Sequence, residues 1–166
     1  MTKRIELDAV DLKTVNCQLL IDKKNTISSF KLNEQEEKIF IELSGELKPG
    51  NYELVIEFEG ILNDKLAGFY RSRYTDNGKE KYLATSQFEA SDAKRAFPCI
   101  DNPAFKATFN VSMIIDKNLT AISNTRPRTT EAVVQRPWQG DKKYKKLVIF
   151  EKTPLMSTYL LYLGVG

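Results

Sequence analysis

The sequence predicts an all-β fold, either an antiparallel sandwich or a curved domain of several sheets. Three runs of residues, 5–9, 52–58 and 105–115, alternate apolar and polar side chains with a period of two, and Val55 is the one break in the second run. This is the pattern of strands with one face on a core and one toward water. Turn-forming Gly, Pro, Asn and Asp residues separate the runs, and helical periodicity is scarce, as in antiparallel β domains.

Individual elements follow from the same pattern. Asp76-Asn77-Gly78 lies between two β-prone segments and predicts the tip of a hairpin. A short helical turn is expected over residues 91–97, with Ser91 as its N-cap and Pro98 ending it. Residues 126–146 are polar and lose the alternation, which predicts a long loop or a ragged hairpin. We expect residues 158–166 to form an apolar strand that continues into more protein.

Composition limits the class of protein. The chain has 166 residues, enough for one domain with its own core, and its net charge of +3 is too balanced to indicate a nucleic-acid binder. No signal segment opens it, and its longest apolar run, 159–165, is far shorter than the roughly 20 residues of a membrane helix. We therefore expect a soluble, cytoplasmic protein whose Cys17 and Cys99 are buried thiols rather than a disulfide.

Catalytic machinery is scarce in this sequence, because it contains no histidine. A Ser-His-Asp triad and a Cys-His pair are therefore impossible, and the commonest ligand of catalytic zinc is missing. We predict no catalytic residue and no metal site within these 166 residues.

Among the polar residues, Glu89 has the most unusual sequence context. It follows an uncharged run, 83–88, where a carboxylate is costly unless it finds a partner. One interpretation is a strand-end carboxylate that accepts backbone hydrogen bonds or pairs with Arg95. The other is a carboxylate aimed into a cleft, where it binds an ammonium or guanidinium group. Gln87 would then lie on the same side of the strand, and Phe88 would point into the core.

The residues after Glu89 have simpler interpretations. Asp92, Lys94 and Arg95 are predicted to form the polar face of the helical turn. Cys99 resembles a small buried hydrophobe rather than a reactive thiol. The segment 101–103, Asp-Asn-Pro, is expected to act as a turn before the next strand.

Two basic and aromatic segments suggest a rival hypothesis. Residues 69–74 alternate rings with Arg71 and Arg73, and residues 142–146 concentrate lysines around one tyrosine. Such patterns occur on single-stranded nucleic-acid platforms. The alternative, favoured by the balanced charge, is that the two arginines meet solvent or acidic partners and the lysine run is a solvated hairpin.

Residues 86–109, SQFEASDAKRAFPCIDNPAFKATF, resemble a segment of the N-terminal domain of the aminopeptidase N family of zinc metallopeptidases. That family includes puromycin-sensitive aminopeptidases and the archaeal tricorn-interacting factors. Three further motifs match in order: GFYRS at 68–72, LTAISN at 119–124 and TPLMSTYLL at 153–161. Residues 1–67 resemble the family only in general β character and are expected to begin after its first strands.

The resemblance implies a saddle-shaped all-β domain, residues 1–166, that packs on a thermolysin-like catalytic domain in cis or in trans. It implies that Glu89 binds the free α-amine of a peptide and that Gln87 lines the pocket for the first side chain. The family's zinc, its H-E-x-x-H motif and its G-x-M-E-N loop belong to the next domain and are not in this sequence. We therefore expect the isolated chain to be inactive and without nucleic-acid or membrane partners, with a homo-oligomer as one permitted state.

A free-standing β-sandwich interaction module without catalysis is the alternative. Such a module should have polar edges and no exposed apolar patch. A domain that packs on a catalytic partner should expose apolar area around Glu89 and along 159–165.

Overall fold

The computed structural model describes residues 1–21, 24–133 and 145–166, and within them it contains fifteen β-strands and two short 3-10 turns. Every pairing between strands is antiparallel. The predicted all-β class is confirmed. No helix in the described ranges is long and apolar enough to cross a membrane.

Two three-stranded sheets form the N-terminal part of the molecule. The first contains β1 (Thr2–Asp8), β5 (Lys38–Leu47) and β4 (Ile27–Asn33), and the second contains β3 (Lys24–Asn25), β2 (Leu12–Ile21) and β6 (Leu54–Gly60). Ile39 and Ile41 alternate along β5 and are fully buried in a core that also includes Cys17 of β2. The predicted strands at 5–9 and 52–58 correspond to β1 and β6.

A four-stranded sheet carries the segment that leads to Glu89. Its strands, in spatial order, are β11 (Ala121–Ser123), β15 (Leu163–Val165), β8 (Lys79–Gln87) and β7 (Gly68–Asp76). The β7–β8 hairpin turns at Asn77 and Gly78, whose φ angles are 49° and 74°. Positive φ at both positions is typical of the tight turns that match the twist of a hairpin, and the predicted hairpin is confirmed.

The remaining strands form a three-stranded sheet and a two-stranded one. The first contains β10 (Ser112–Asp116), β13 (Lys145–Phe150) and β12 (Pro127–Val133), and the second pairs β14 (Met156–Ser157) with β9 (Lys106–Ala107). The antiparallel pairing of β12 with β13 agrees with the predicted ragged hairpin over 126–146. Residues 134–144 lie outside the described part, and so does most of the lysine run.

The single strand predicted over 105–115 is wrong, because it is divided into β9 and β10. Between them the backbone of Phe109 bonds to Thr153: its N–H donates to the threonine Oγ1 at 2.9 Å, and its carbonyl accepts from the threonine N–H at 3.0 Å. A side-chain acceptor therefore replaces a ladder partner at this point and interrupts the regular pairing.

The strand predicted over 158–166 is also wrong in its first half. Residues Thr158–Leu160 form a 3-10 turn, and only Leu163–Val165 form a strand. The Asn124 side chain bonds to the carbonyl of Leu160 and to the N–H of Tyr162, both across 36–38 residues of chain. These long-range hydrogen bonds satisfy backbone groups that a strand would otherwise offer to its neighbours.

The helical turn predicted near 91–97 is present as a single 3-10 turn, Ala93–Arg95. Its N-cap residue is Asp92 rather than the predicted Ser91, and the Asp92 side chain makes no capping hydrogen bond to the turn. The Asp92 N–H instead bonds to the carbonyl of Phe88 at 3.0 Å, so the chain enters the turn with its first donor already satisfied.

Candidate functional site

Glu89 follows directly after β8, the long strand of the four-stranded sheet. Gln87 is the last residue of β8 and is exposed, Phe88 is only 1% exposed, and Glu89 is exposed again. The alternation predicted for these three residues is confirmed, because the aromatic ring enters the core and the two polar side chains reach the surface.

The structure brings Gln87 and Glu89 together. The Gln87 side-chain oxygen accepts a hydrogen bond from the Glu89 N–H at 3.1 Å, and the peptide bond between Glu89 and Ala90 is cis. The Glu89 carboxylate has no hydrogen bond or ion pair with any residue in the described ranges. It is therefore a negative charge presented to solvent without an internal cation.

The predicted pairing of Glu89 with Arg95 is wrong. Arg95 Nε donates to Asp92 at 2.8 Å, and its Nη1 lies 3.4 Å from the carboxylate of Asp11. Its charge is therefore balanced by two other carboxylates, and the acidic group of Glu89 remains available to a ligand.

A cluster of aromatic side chains packs beneath the end of β8. The ring of Phe88 meets that of Phe97 edge to face, with centroids 6.0 Å apart, and Phe97 meets Phe109 in the same way at 6.4 Å. Ala93 of the 3-10 turn is completely buried in the same cluster. Packed aromatic rings leave few alternative rotamers, so the backbone on either side of Glu89 is fixed to the core.

The polar face of the 3-10 turn contacts protein rather than solvent. The Lys94 ammonium pairs with Glu37, and the Lys94 carbonyl accepts from the Val10 N–H at 3.0 Å. Because Lys94 donates a hydrogen bond to it and also attracts it electrostatically, the pKa of the Glu37 carboxyl lies below its usual value. Sequence reasoning placed Lys94 on a polar face but missed this partner in the N-terminal sheets.

Asp101 has a larger role than the turn predicted for residues 101–103. The turn itself is present, since Asn102 Oδ1 accepts from the Ala104 N–H at 2.9 Å. Asp101, however, is buried and accepts hydrogen bonds from the Lys94 N–H and the Thr158 hydroxyl. Thr158 lies 57 residues away in sequence, so no local pattern could have indicated this contact.

Both cysteines are free thiols, as predicted. Burial, followed by the nearby charges of Asp101 and Asp8, raises the pKa of the Cys99 thiol to about 12. Burial also raises the pKa of Cys17. A thiol protonated in this way is a poor nucleophile and a poor metal ligand. Within the described residues no three Cys, Asp or Glu side chains are grouped as a metal site.

The arginines of the rival nucleic-acid hypothesis have acidic partners. Arg71 makes a bidentate pair with Asp64 at 3.0 and 2.9 Å and stacks over the ring of Tyr82 at 4.8 Å. Arg73 pairs with Glu80 at 3.1 Å. Both contacts agree with the alternative in which these cations meet acidic neighbours.

The family model of the peptidase M1 N-terminal domain matches residues 1–160. The chain is 44% identical over 137 residues to aminopeptidase N of Rattus norvegicus, covering 81% of the chain and 14% of that protein. It is 38% identical over 166 residues to aminopeptidase 2 of Candida albicans, covering 99% and 17%. It is 42% identical over 135 residues to aminopeptidase M1-C of Oryza sativa subsp. japonica, covering 81% and 14%.

The chain therefore belongs to the peptidase M1 family, in which it corresponds to the N-terminal domain. The match includes residues 1–67, for which the sequence alone had indicated only general β character. The chain spans less than a fifth of the length of these relatives.

Proposed function

We propose that this chain is the substrate-anchoring domain of a zinc aminopeptidase, in which Glu89 binds the free α-ammonium group of a peptide. One observation carries the proposal: the Glu89 carboxylate is exposed and has no cationic partner in the described residues, although its backbone is fixed by Phe88. Gln87, held beside it, lines the space for the first side chain of the peptide.

The chemistry of this pair accounts for selectivity toward a free N-terminus. A carboxylate–ammonium hydrogen bond in a site closed from water is stronger than a neutral one. A peptide with a blocked amine would leave Glu89 desolvated and unpaired, which is the more costly state. The proposal therefore gives Glu89 a role in both binding and discrimination.

The peptide bond itself would be hydrolysed by a thermolysin-like catalytic domain that binds the zinc ion. This sequence has no histidine and therefore no H-E-x-x-H motif, so the metal and the general base must lie outside it. Partly exposed apolar residues support a packing surface: Leu160 is 49% exposed and Tyr162 38%, and the Tyr162 hydroxyl lies 3.1 Å from the Thr85 hydroxyl of β8. Leu161 between them is buried, so the exposed area is confined to alternate residues.

The test uses this domain combined with an M1 catalytic region, in one chain or in trans, and a leucyl chromogenic substrate. We expect Glu89→Gln to lower kcat/KM by about 10- to 100-fold, the loss of one charge-assisted hydrogen bond. Glu57→Gln is the matched control, because Glu57 is an exposed carboxylate on β6. It should leave kcat/KM unchanged.

Equal kinetics for Glu89→Gln and the control variant would remove Glu89 from the site. The isolated chain with added zinc should give no turnover above buffer. Robust turnover would contradict the proposal that the metal and the general base lie outside this chain. Failure of the domain to associate with any catalytic region would favour the free-standing interaction module.

A further inference from the structure

Asp101 is a buried carboxylate whose two oxygens join distant parts of the chain. Only 8% of Asp101 is exposed to solvent. Oδ2 accepts a hydrogen bond from the Lys94 N–H at 3.0 Å, and Oδ1 accepts one from the Thr158 hydroxyl at 2.7 Å. A carboxylate is costly to bury unless both oxygens are satisfied, so this arrangement links the two 3-10 turns through one side chain.

The N-terminal sheet fixes Asp101 from the other side. The Asp101 N–H donates to the Asp8 carboxylate at 2.8 Å. The backbones of Asp8 and Cys99 are bonded in both directions, at 2.7 and 3.1 Å. Asp101 therefore has a fixed backbone as well as a bonded side chain. It can act as a rigid support for the Lys94 backbone and the Thr158 side chain, to which it is hydrogen-bonded.

Glu89 lies between two fixed points of the backbone. On one side is Phe88, buried in the aromatic cluster, whose carbonyl accepts from the Asp92 N–H. On the other side is Lys94, whose N–H is held by Asp101. We propose that Asp101 is a positioning residue that sets the direction of the Glu89 carboxylate, a role that rests on the amine-binding function proposed for Glu89.

The support depends on geometry rather than on the charge of Asp101. An asparagine at this position can accept from the Lys94 N–H through its oxygen and donate to the Thr158 hydroxyl through its nitrogen, since a hydroxyl can also accept. An alanine can do neither and leaves the Lys94 N–H without a partner. Asp101→Asn should therefore preserve the position of Glu89, whereas Asp101→Ala should release it.

The test is a double-mutant cycle on the domain combined with its catalytic region, measured as kcat/KM for a free-amine leucyl substrate. We expect Asp101→Ala to lower kcat/KM by about 10- to 100-fold, the scale of a misplaced binding group, and Asp101→Asn to retain it within about twofold. In the Glu89→Gln background, Asp101→Ala should have almost no further effect, because the group that it positions is already lost.

Equal effects of Asp101→Ala in both backgrounds would overturn the proposal and leave a purely structural role. No effect of Glu89→Gln alone would instead refute the proposed function, so the two failures are distinguishable. If Asp101→Ala does not fold, Thr158→Val replaces it in the cycle, because it removes only one hydrogen bond of Asp101.

A second readout needs only the isolated chain. Amide hydrogen exchange followed by NMR should be faster at Lys94 in Asp101→Ala, and the Glu89 amide resonance should shift. Both should remain close to the parent chain in Asp101→Asn. Unchanged Glu89 and Lys94 amides in a folded Asp101→Ala chain would also overturn the proposal.

Discussion

Glu37 and Lys94 show how one ion pair connects the N-terminal sheets to the turn that follows Glu89. The hydrogen bond and charge of Lys94 lower the pKa of the Glu37 carboxyl from its usual 4.5. A carboxyl with a lowered pKa in the folded state contributes stability above its unfolded pKa. That contribution is lost as the pH falls through the lower, folded-state value.

We therefore expect Glu37→Gln to reduce the free energy of unfolding at pH 7, and this difference from the parent chain to be smaller at pH 3, below the usual pKa of the carboxyl. Urea unfolding at both pH values measures it. The effect should be small, because 44% of the Glu37 side chain is exposed and solvent screens its ion pair. Glu57→Gln serves as the control, and a difference as large at pH 3 as at pH 7 would contradict the assignment to this ion pair.

Single residues also show which structural features can be predicted from the sequence. Period-two alternation was sufficient to place Gln87 and Glu89 on the surface and Phe88 in the core, because these relations are local. The distant partners of Arg95 and Asp101 were not predictable in this way. Asp11 and Thr158 lie 84 and 57 residues from them, and only the folded chain brings such groups together.

Among the individual elements, β7 shows how the start of a strand can depend on a glycine. Gly68 has a φ of 74°, and a Cβ built there would lie 2.6 Å from the Cβ of Arg95 in the 3-10 turn. The strand and the turn can approach each other this closely only because position 68 has no side chain. Gly78 at the hairpin tip has the same φ of 74° but nothing within 4 Å of such a Cβ.

Alanine substitutions at these two glycines separate the cost of backbone strain from the cost of close packing. We expect Gly78→Ala to lose about 1 kcal/mol of unfolding free energy, the cost of a left-handed alanine. Gly68→Ala should lose about 1–3 kcal/mol more, because it also forces the strand and the turn apart. Chemical denaturation measures both, and equal losses would show that the contact with Arg95 relaxes without cost.

Elements were predictable where their signals are local. The hairpin at Asn77 and Gly78 and the strands β1 and β6 follow from turn residues and alternation alone. The interruption between β9 and β10 does not, since it arises from Thr153, 44 residues away from Phe109. Long-range side-chain hydrogen bonds decide where a regular strand stops, and no short window of sequence contains them.

At the scale of the whole molecule, the described residues form three hydrophobic clusters. Ile41 belongs to the cluster of the N-terminal sheets, Phe88 to the aromatic cluster beneath Glu89, and Val148 to a third cluster at β10 and β13. The Lys94–Glu37 ion pair links the N-terminal sheets to the 3-10 turn, whose Ala93 belongs to the second cluster. Substitutions in the first two clusters, which share no residue, should therefore act independently.

We expect the losses of unfolding free energy for Ile41→Val and Phe88→Leu to add within about 0.5 kcal/mol in the double variant. Phe88→Leu and Phe97→Leu, whose rings are in contact, should deviate from additivity by more than that. Urea denaturation of the single and double variants gives both values. A strong coupling between Ile41 and Phe88 would mean that the clusters form one core.

The position of β15 has a consequence for how the chain reaches its native state. This strand pairs with β11 on one side and β8 on the other, although Leu163 is 77 residues from its hydrogen-bond partner Ser86. A nascent chain leaving the ribosome therefore exposes an open edge of β8 until residues 163–165 are made. Open strand edges recruit other chains, so we expect the pairing of β15 to lower the tendency of the unfinished chain to self-associate.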